Sequence, residues 1–181
     1  MSEELKGLPD TKTLHTADIV LVAGKGWLSK SIMFLTDSKW SHAALYVGGG
    51  RQAVLEAVDD GVEENPFVTT AKGHTRIAIR RLPNLTVEQA EAIKAVAYKE
   101  LNRPYDYVQL VTLGVYSVVR KYLGIRWSAL VKNSKKSMIC SELVEVAYAA
   151  AGVHFAKKDK MVTPDTLGEA ENLVTIYEAP L

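Results

Sequence analysis

Apolar residues in this chain fall into short runs whose period changes along its length. Residues 17–24, ADIVLVAG, form an apolar stretch ended by Gly24 and Gly26, the pattern of a short buried strand. Trp27 to Thr36 carries Leu28, Ile32, Phe34 and Leu35 and reads as a short helix. WSHAALYV, from Trp40 to Val47, reads as a strand, Gly48, Gly49 and Gly50 as a turn, and QAVLEAV, from Gln52 to Val58, as a returning strand. Asp59 to Asn65 reads as an acidic loop before Pro66 and Phe67. From Thr75 to Leu82, Ile77 and Ile79 alternate with Arg76, Ala78 and Arg80, which predicts a strand with one solvated face.

The second half changes to helical spacing. Thr86 opens a helix with Gln89 placed to close a capping box, and Val87, Ala90, Ile93, Ala97 and Leu101 are its expected buried positions. Asn102, Arg103 and Pro104 end it. Tyr107 to Val119 is uncharged, too short to span a bilayer, and suits a buried or interfacial helix. In SMICSELVEVAYAAAG, Ser137 to Gly152, a loop gives way to a helix with Leu143, Val144, Ala147, Ala150 and Ala151 at helical spacing and Gly152 as a stop. Thr163 followed by Pro164 marks another helix start, and Asn172 to Glu178 alternates into a last strand. There is no internal repeat or linker. Strands, then helices, then a strand predict an α+β fold. The polar residues 1–16, with Pro9, form an arm, and residues 17–181 a single domain.

Composition narrows the function classes. An apolar fraction of 48% with 24% charged residues is that of an ordinary globular domain. A net charge of +1 provides no global field for nucleic acid. The single cysteine cannot form an intramolecular disulfide or a cysteine-rich zinc site, and no H-x-x-x-H or H-E-x-x-H spacing occurs, so no metal or other cofactor is expected. MSEELKGLPDTK has no apolar core of a signal peptide. The expectation is therefore cytoplasmic action, or export by a system that does not read such a peptide.

Cys140 stands where that loop becomes a helix, beside unpaired backbone N–H groups and the positive end of the helix dipole, a setting that favours thiolate. By itself it is read more simply as a buried structural cysteine. The hairpin changes the weighing. With its turn centred on Gly49, His42 lies directly opposite Glu56 on one face of the sheet, Cβ atoms about 4.5–5.5 Å apart. A slip of one residue would part them. A thiol, an imidazole and an orienting carboxylate are the three types that cysteine catalysis needs. His15 in the arm, His74 in a loop after Gly73 and His154 beyond the cysteine helix compete poorly with His42. From Tyr107 to Ser141 no acidic residue occurs, while Arg120, Lys121, Arg126, Lys132, Lys135 and Lys136 are basic and flank Tyr122 and Trp127. Such a stretch is ordinarily a solvated face; preceding Cys140, residues 120–136 are read as a flap for an anionic or amphipathic substrate or surface.

The segments ADIVLV, SKWSHAALYVGGG with VLEAV, RPYDY, CSELVEVAYAAAG and TPDTL, in that order, resemble the circularly permuted papain-like family, the YiiX/YebB-like group. That group sits in the wider superfamily of NlpC-type cell-wall peptidases and lecithin:retinol acyltransferase relatives. The resemblance implies an antiparallel sheet or barrel packed with helices, with the nucleophile at a helix N-terminus. It places the nucleophile on Cys140, the base on His42 and the third polar residue on Glu56, and puts Tyr105, Tyr107 and Ser41 near the substrate or oxyanion. It further implies amide hydrolysis through a thioester, with a peptide such as a peptidoglycan stem peptide as substrate. Met-Ile-Cys-Ser-Glu-Leu departs from the acyltransferase branch, which has an asparagine before its cysteine and a second histidine after its glutamate. A lipid-directed thioesterase or acyltransferase is the first alternative, and a non-catalytic binding module on this fold the second.

Overall fold

A computed structural model describes residues 7–25, 33, 38–105, 138–156 and 161–181. The strands are β1 (Ile19–Gly24), β2 (His42–Gly48), β3 (Ala53–Val58), β4 (Gly61–Pro66), β5 (His74–Arg81) and β6 (Val174–Pro180). The helices are α1 (Phe67–Ala71), α2 (Val87–Lys99), α3 (Cys140–Ala149) and α4 (Pro164–Gly168). The strands among the described residues join one sheet in the order β4-β3-β2-β1-β5-β6, every pair antiparallel. The α+β expectation describes these elements. The expected helix over Trp27–Thr36 and the run Tyr107–Val119 lie outside the described residues, Met33 apart.

β1 shows why its sequence is uninterrupted. Ile19, Leu21 and Ala23 face one core with Leu143, Val144 and Ala147 of α3, while Val20 and Val22 face a second with Tyr46, Phe67, Ile77 and Ile79. A strand covered on both faces has no polar side to alternate with. The same cover corrects the reading of β5. Ile77, Ala78 and Ile79 are all buried, so its middle has no solvated face. Its arginines are also engaged, Arg80 on the carbonyls of Ala170 and Leu173, and Arg81 on Asp18 through two contacts of 2.6 Å. Leu14 is buried against the second core.

The expected acidic loop Asp59–Asn65 is instead largely strand. A tight turn through Gly61, at φ +123°, folds β4 back on β3, pairing Glu56 with Glu63 and Val54 with Asn65. Cross-strand bonds and the buried Val62 outweigh the poor strand propensity of Glu and Asn, and Pro66 is tolerated at the end of an edge strand. Helix α2 has its Thr86–Gln89 capping box, with Ile93 and Ala97 buried. Val87, expected inside, is 76% exposed. It occupies the first helical position, ahead of the stripe that meets the core. Thr163 caps α4 with Pro164 in its first turn, and the last strand begins two residues later than expected, at Val174.

Asp18 is 1% exposed and holds Arg81 at one end of β1 while accepting the His15 N–H at 2.8 Å. Removing one partner of a buried ion pair strands the other charge. Asp18→Asn is expected to lower unfolding free energy by about 3 kcal/mol, read as a lower urea midpoint at unchanged slope. A midpoint equal to that of the parent chain would contradict this account of the pair.

Candidate active site

The segment leading into β2 is pinned before it reaches His42. Trp40 is buried, its indole resting where Gly168 has no side chain; a Cβ there would come within 2.6 Å of the indole nitrogen. The Ser38 hydroxyl accepts the Trp40 N–H at 2.9 Å and donates to the Trp40 carbonyl at 2.8 Å. Ser41 then ties the start of β2 to the end of β1. Its hydroxyl accepts the Gly24 N–H at 2.8 Å and donates to the Val22 carbonyl at 3.2 Å. That hydroxyl, expected near the oxyanion, is engaged with backbone at this junction.

His42 and Glu56 share a face, though not as directly opposed residues. The ladder pairs Leu45 with Leu55 and Tyr46 with Val54, displaced by two positions from a turn centred on Gly49. An even displacement keeps every side chain on its face, whereas an odd one would invert it. His42 therefore meets Glu56 on a diagonal, and its Nε2 lies 2.6 Å from Glu56 Oε2. The other carboxylate oxygen, Oε1, accepts the Thr70 hydroxyl at 2.6 Å and the Asn65 amide at 3.1 Å. Glu56 is only 4% exposed, and burial alone would favour its neutral form. The bonds from His42, Thr70 and Asn65 prevail and hold the carboxyl below its ordinary range.

Cys140 is the first residue of α3. Ile139, the cap, makes no side-chain bond to the first turn. Burial disfavours the thiolate, but the charge and hydrogen bond of His42, with the backbone N–H groups of Ala43 and Ser141, lower the thiol below its ordinary value. For His42, burial opposes the charge, and the combined pull of Cys140 and Glu56 overcomes it and raises the imidazole well above its ordinary value. With Nε2 on Glu56, Nδ1 is left as the ring nitrogen to face sulfur. The sulfur residue is 6% exposed and the His42 side chain 18%, so the pair is sheltered but has an opening on the imidazole side. The arrangement sets a thiol, an imidazole and a carboxylate in line, with both neighbours of the ring favouring its charged form.

Tyr105 reaches the neighbourhood through its backbone. It forms a parallel bridge with Met138, and the Met138 N–H donates to the Pro104 carbonyl at 3.0 Å, so the chain at 104–105 runs beside the approach to Cys140. Tyr107 and the basic stretch 120–136 lie outside the described residues. The sequence reading missed Thr70 and Asn65, and set His74 aside as a loop residue. Asn65 falls in a run of Glu and Asn that reads as loop, and the approach of Thr70 is tertiary, so neither leaves a signal in the sequence. His74 opens β5 opposite Gly24. Burial, then the charge of His42, keeps it below its ordinary value, against the pull of the Ala71 and Lys72 carbonyls and of Glu56.

Among the described residues, no group of three or more His, Cys, Asp or Glu side chains could hold a metal ion, and no helix is long and apolar enough to cross a membrane. The fold resembles the solved structure of metalloprotein YiiX from Escherichia coli O157:H7, with a TM-score of 0.70 at 22% identity over 91% of this chain and 97% of that one. YiiX of Escherichia coli K12, an uncharacterized protein, is 24% identical over 173 residues, 90% of this chain and 85% of its own. The probable lipoprotein peptidase YaeF of the same strain is 28% identical over 157 residues, 77% of this chain. That match spans 57% of the length of YaeF. The model of the permuted papain-like amidase family matches residues 13–112, a span that includes His42 and Glu56 and ends before Cys140. More than half of the chain follows that model, and the chain belongs to the permuted papain-like amidase family of YaeF and YiiX.

Proposed function

We propose that this chain is a cysteine hydrolase that cleaves an amide bond of a peptide through a thioester, with Cys140 as nucleophile, His42 as proton carrier and Glu56 as the group that orients the ring. The observation that carries the reading is the 2.6 Å contact of His42 Nε2 with Glu56, made while the other side of the same imidazole interacts with the thiol at the start of α3. The family is one of amidases, and YaeF is described as a lipoprotein peptidase, which favours a peptide substrate.

In this mechanism the Cys140 thiolate attacks the carbonyl carbon, and the oxyanion gathers near the backbone N–H at the start of α3. Collapse of the tetrahedral intermediate breaks the C–N bond as His42 delivers its proton to the departing amine. A water molecule then gives a proton to His42 and its oxygen to the acyl carbon. The C–S bond breaks, the carboxylic product leaves, and the thiolate–imidazolium pair is restored. Glu56 neither gains nor loses a proton; it keeps the ring turned and stabilises its charge. Peptidoglycan stem peptides are the proposed substrate class. The lipid alternative rests on the apolar run and basic stretch of residues 107–136, which lie outside the described residues.

Cys140→Ala and His42→Ala are expected to abolish release of new muropeptides from purified peptidoglycan, measured by mass spectrometry. Glu56→Gln should lower turnover by about 10–100-fold, the worth of a charge-assisted bond, with the circular dichroism spectrum unchanged. Full turnover in Cys140→Ala would end the reading.

The two shifts also set a pH window. A thiol lowered by its neighbours ionises below its ordinary range, and an imidazole raised by its neighbours keeps its proton above its own. The active ion pair is lost to acid when sulfur is protonated and lost to base when His42 is deprotonated. The rate–pH profile should therefore be a plateau across neutrality, and Glu56→Gln should draw its alkaline limb downward. An alkaline limb that stays in place in that variant would contradict the assigned role of Glu56.

A further inference from the structure

The Glu56 carboxylate has two oxygens with different partners, and only one of them faces the imidazole. Oε2 meets His42, and Oε1 is held by two donors from different elements, the Thr70 hydroxyl at 2.6 Å and the Asn65 amide at 3.1 Å. Asn65 lies on β4, opposite Val54 and so on the same face as Glu56, one diagonal away. His42, Glu56 and Asn65 thus form a row across β2, β3 and β4. Thr70 comes down on that row from α1. The helix is seated by Phe67, which is fully buried edge-on to Tyr46 with ring centroids 6.2 Å apart, and whose N–H donates to the Gln52 carbonyl at 2.9 Å. Residues three apart on a helix share a side, so the same anchor that buries Phe67 aims Thr70, itself 6% exposed, at the carboxylate.

We propose that Thr70 and Asn65 are positioning residues that clamp Oε1 of Glu56 and thereby fix Oε2 on His42 and keep the cysteine–histidine pair charged. This rests on the reading of Cys140, His42 and Glu56 as the catalytic set. A terminal carboxylate turns easily about its last bond, whose torsional preference is broad. Held by one imidazole alone, it would sample orientations that release the ring. Two further donors on the opposite oxygen remove that freedom. They also offset the desolvation of a nearly buried anion, which would otherwise take up a proton and become a poor brace. The charged and titratable groups around Glu56 are His42 on β2, Glu63 directly opposite on β4, His74 at the start of β5, and Cys140 beyond the imidazole.

The test reads thiolate directly, without any substrate. The chain has one cysteine, so iodoacetamide alkylation followed over pH reports Cys140 alone. In the parent chain the acid limb of that profile should lie below the range of a free thiol. Thr70→Val keeps shape and removes the donor; it should move the limb to higher pH and slow alkylation at pH near 5 by about tenfold, with kcat falling while KM holds. Thr70→Ser restores the donor and should restore the profile, which lost packing alone would not explain. Asn65→Leu, removing the longer bond, should produce a smaller shift in the same direction. A parent chain with the acid limb of an ordinary thiol overturns the catalytic set and this inference together. A low-lying parent limb that is unmoved in Thr70→Val and Asn65→Leu overturns this inference alone. Should Thr70→Val fail to fold, Asn65→Leu decides the matter by the same criterion.

Discussion

A carboxylate withdrawn from water has to find partners for both oxygens or take up a proton. Glu56 meets that demand in the middle of a strand, with little exposure and with three donors drawn from β2, β4 and α1. The surrounding architecture serves the same end. The β2–β3 ladder places the imidazole on the correct face, the turn at Gly61 brings back β4 with Asn65, and Phe67 seats the short helix that carries Thr70. Together they make an ionised side chain tolerable where solvent cannot stabilise it.

The thiol is prepared by different means. It stands at the beginning of a helix whose capping residue supplies no side-chain acceptor, and the Ser141 N–H of the first turn meets sulfur while Ala43 contributes a second from β2. Sulfur and ring then stabilise each other's charge, each moving in the direction the other requires. Electrostatic coupling of this kind needs only a sheltered site and close approach. Both are provided by the fold around the fully buried Ala43 and Ser141, whose main-chain N–H groups meet sulfur.

Much of this was readable from residues. The period of β1 announced a strand covered on both sides, and Thr86, Gln89, Thr163 and Pro164 announced their helix starts, because caps and apolar period are local properties. The common face of His42 and Glu56 was readable from alternation alone and survived a register displaced by two. What escaped was tertiary. The β4 strand is made of Glu, Asn and Pro and exists because β3 offers it a ladder. Val87 is apolar but stands at the first helical position, 76% exposed. Thr70 looks like any threonine in a short helix until the fold lays it over a carboxylate. His74 looked like a loop residue, and pairing of β5 with β1 brings it beside the same group.

Tyr148 lies eight residues along α3 from the sulfur, about 12 Å at the rise of an α-helix, and its hydroxyl donates to the carbonyl of Ala17 at 2.5 Å. Ala17 is itself held in a left-handed conformation, φ 73°, with its N–H on the Tyr46 carbonyl at 2.8 Å. The helix is thus bolted at its far end to the same β2 strand that begins with the imidazole. Reactive groups tolerate only about 0.5 Å of misplacement. A rod fastened this way cannot slide along its axis without dragging the strand with it, so sulfur and ring keep their spacing when the domain breathes.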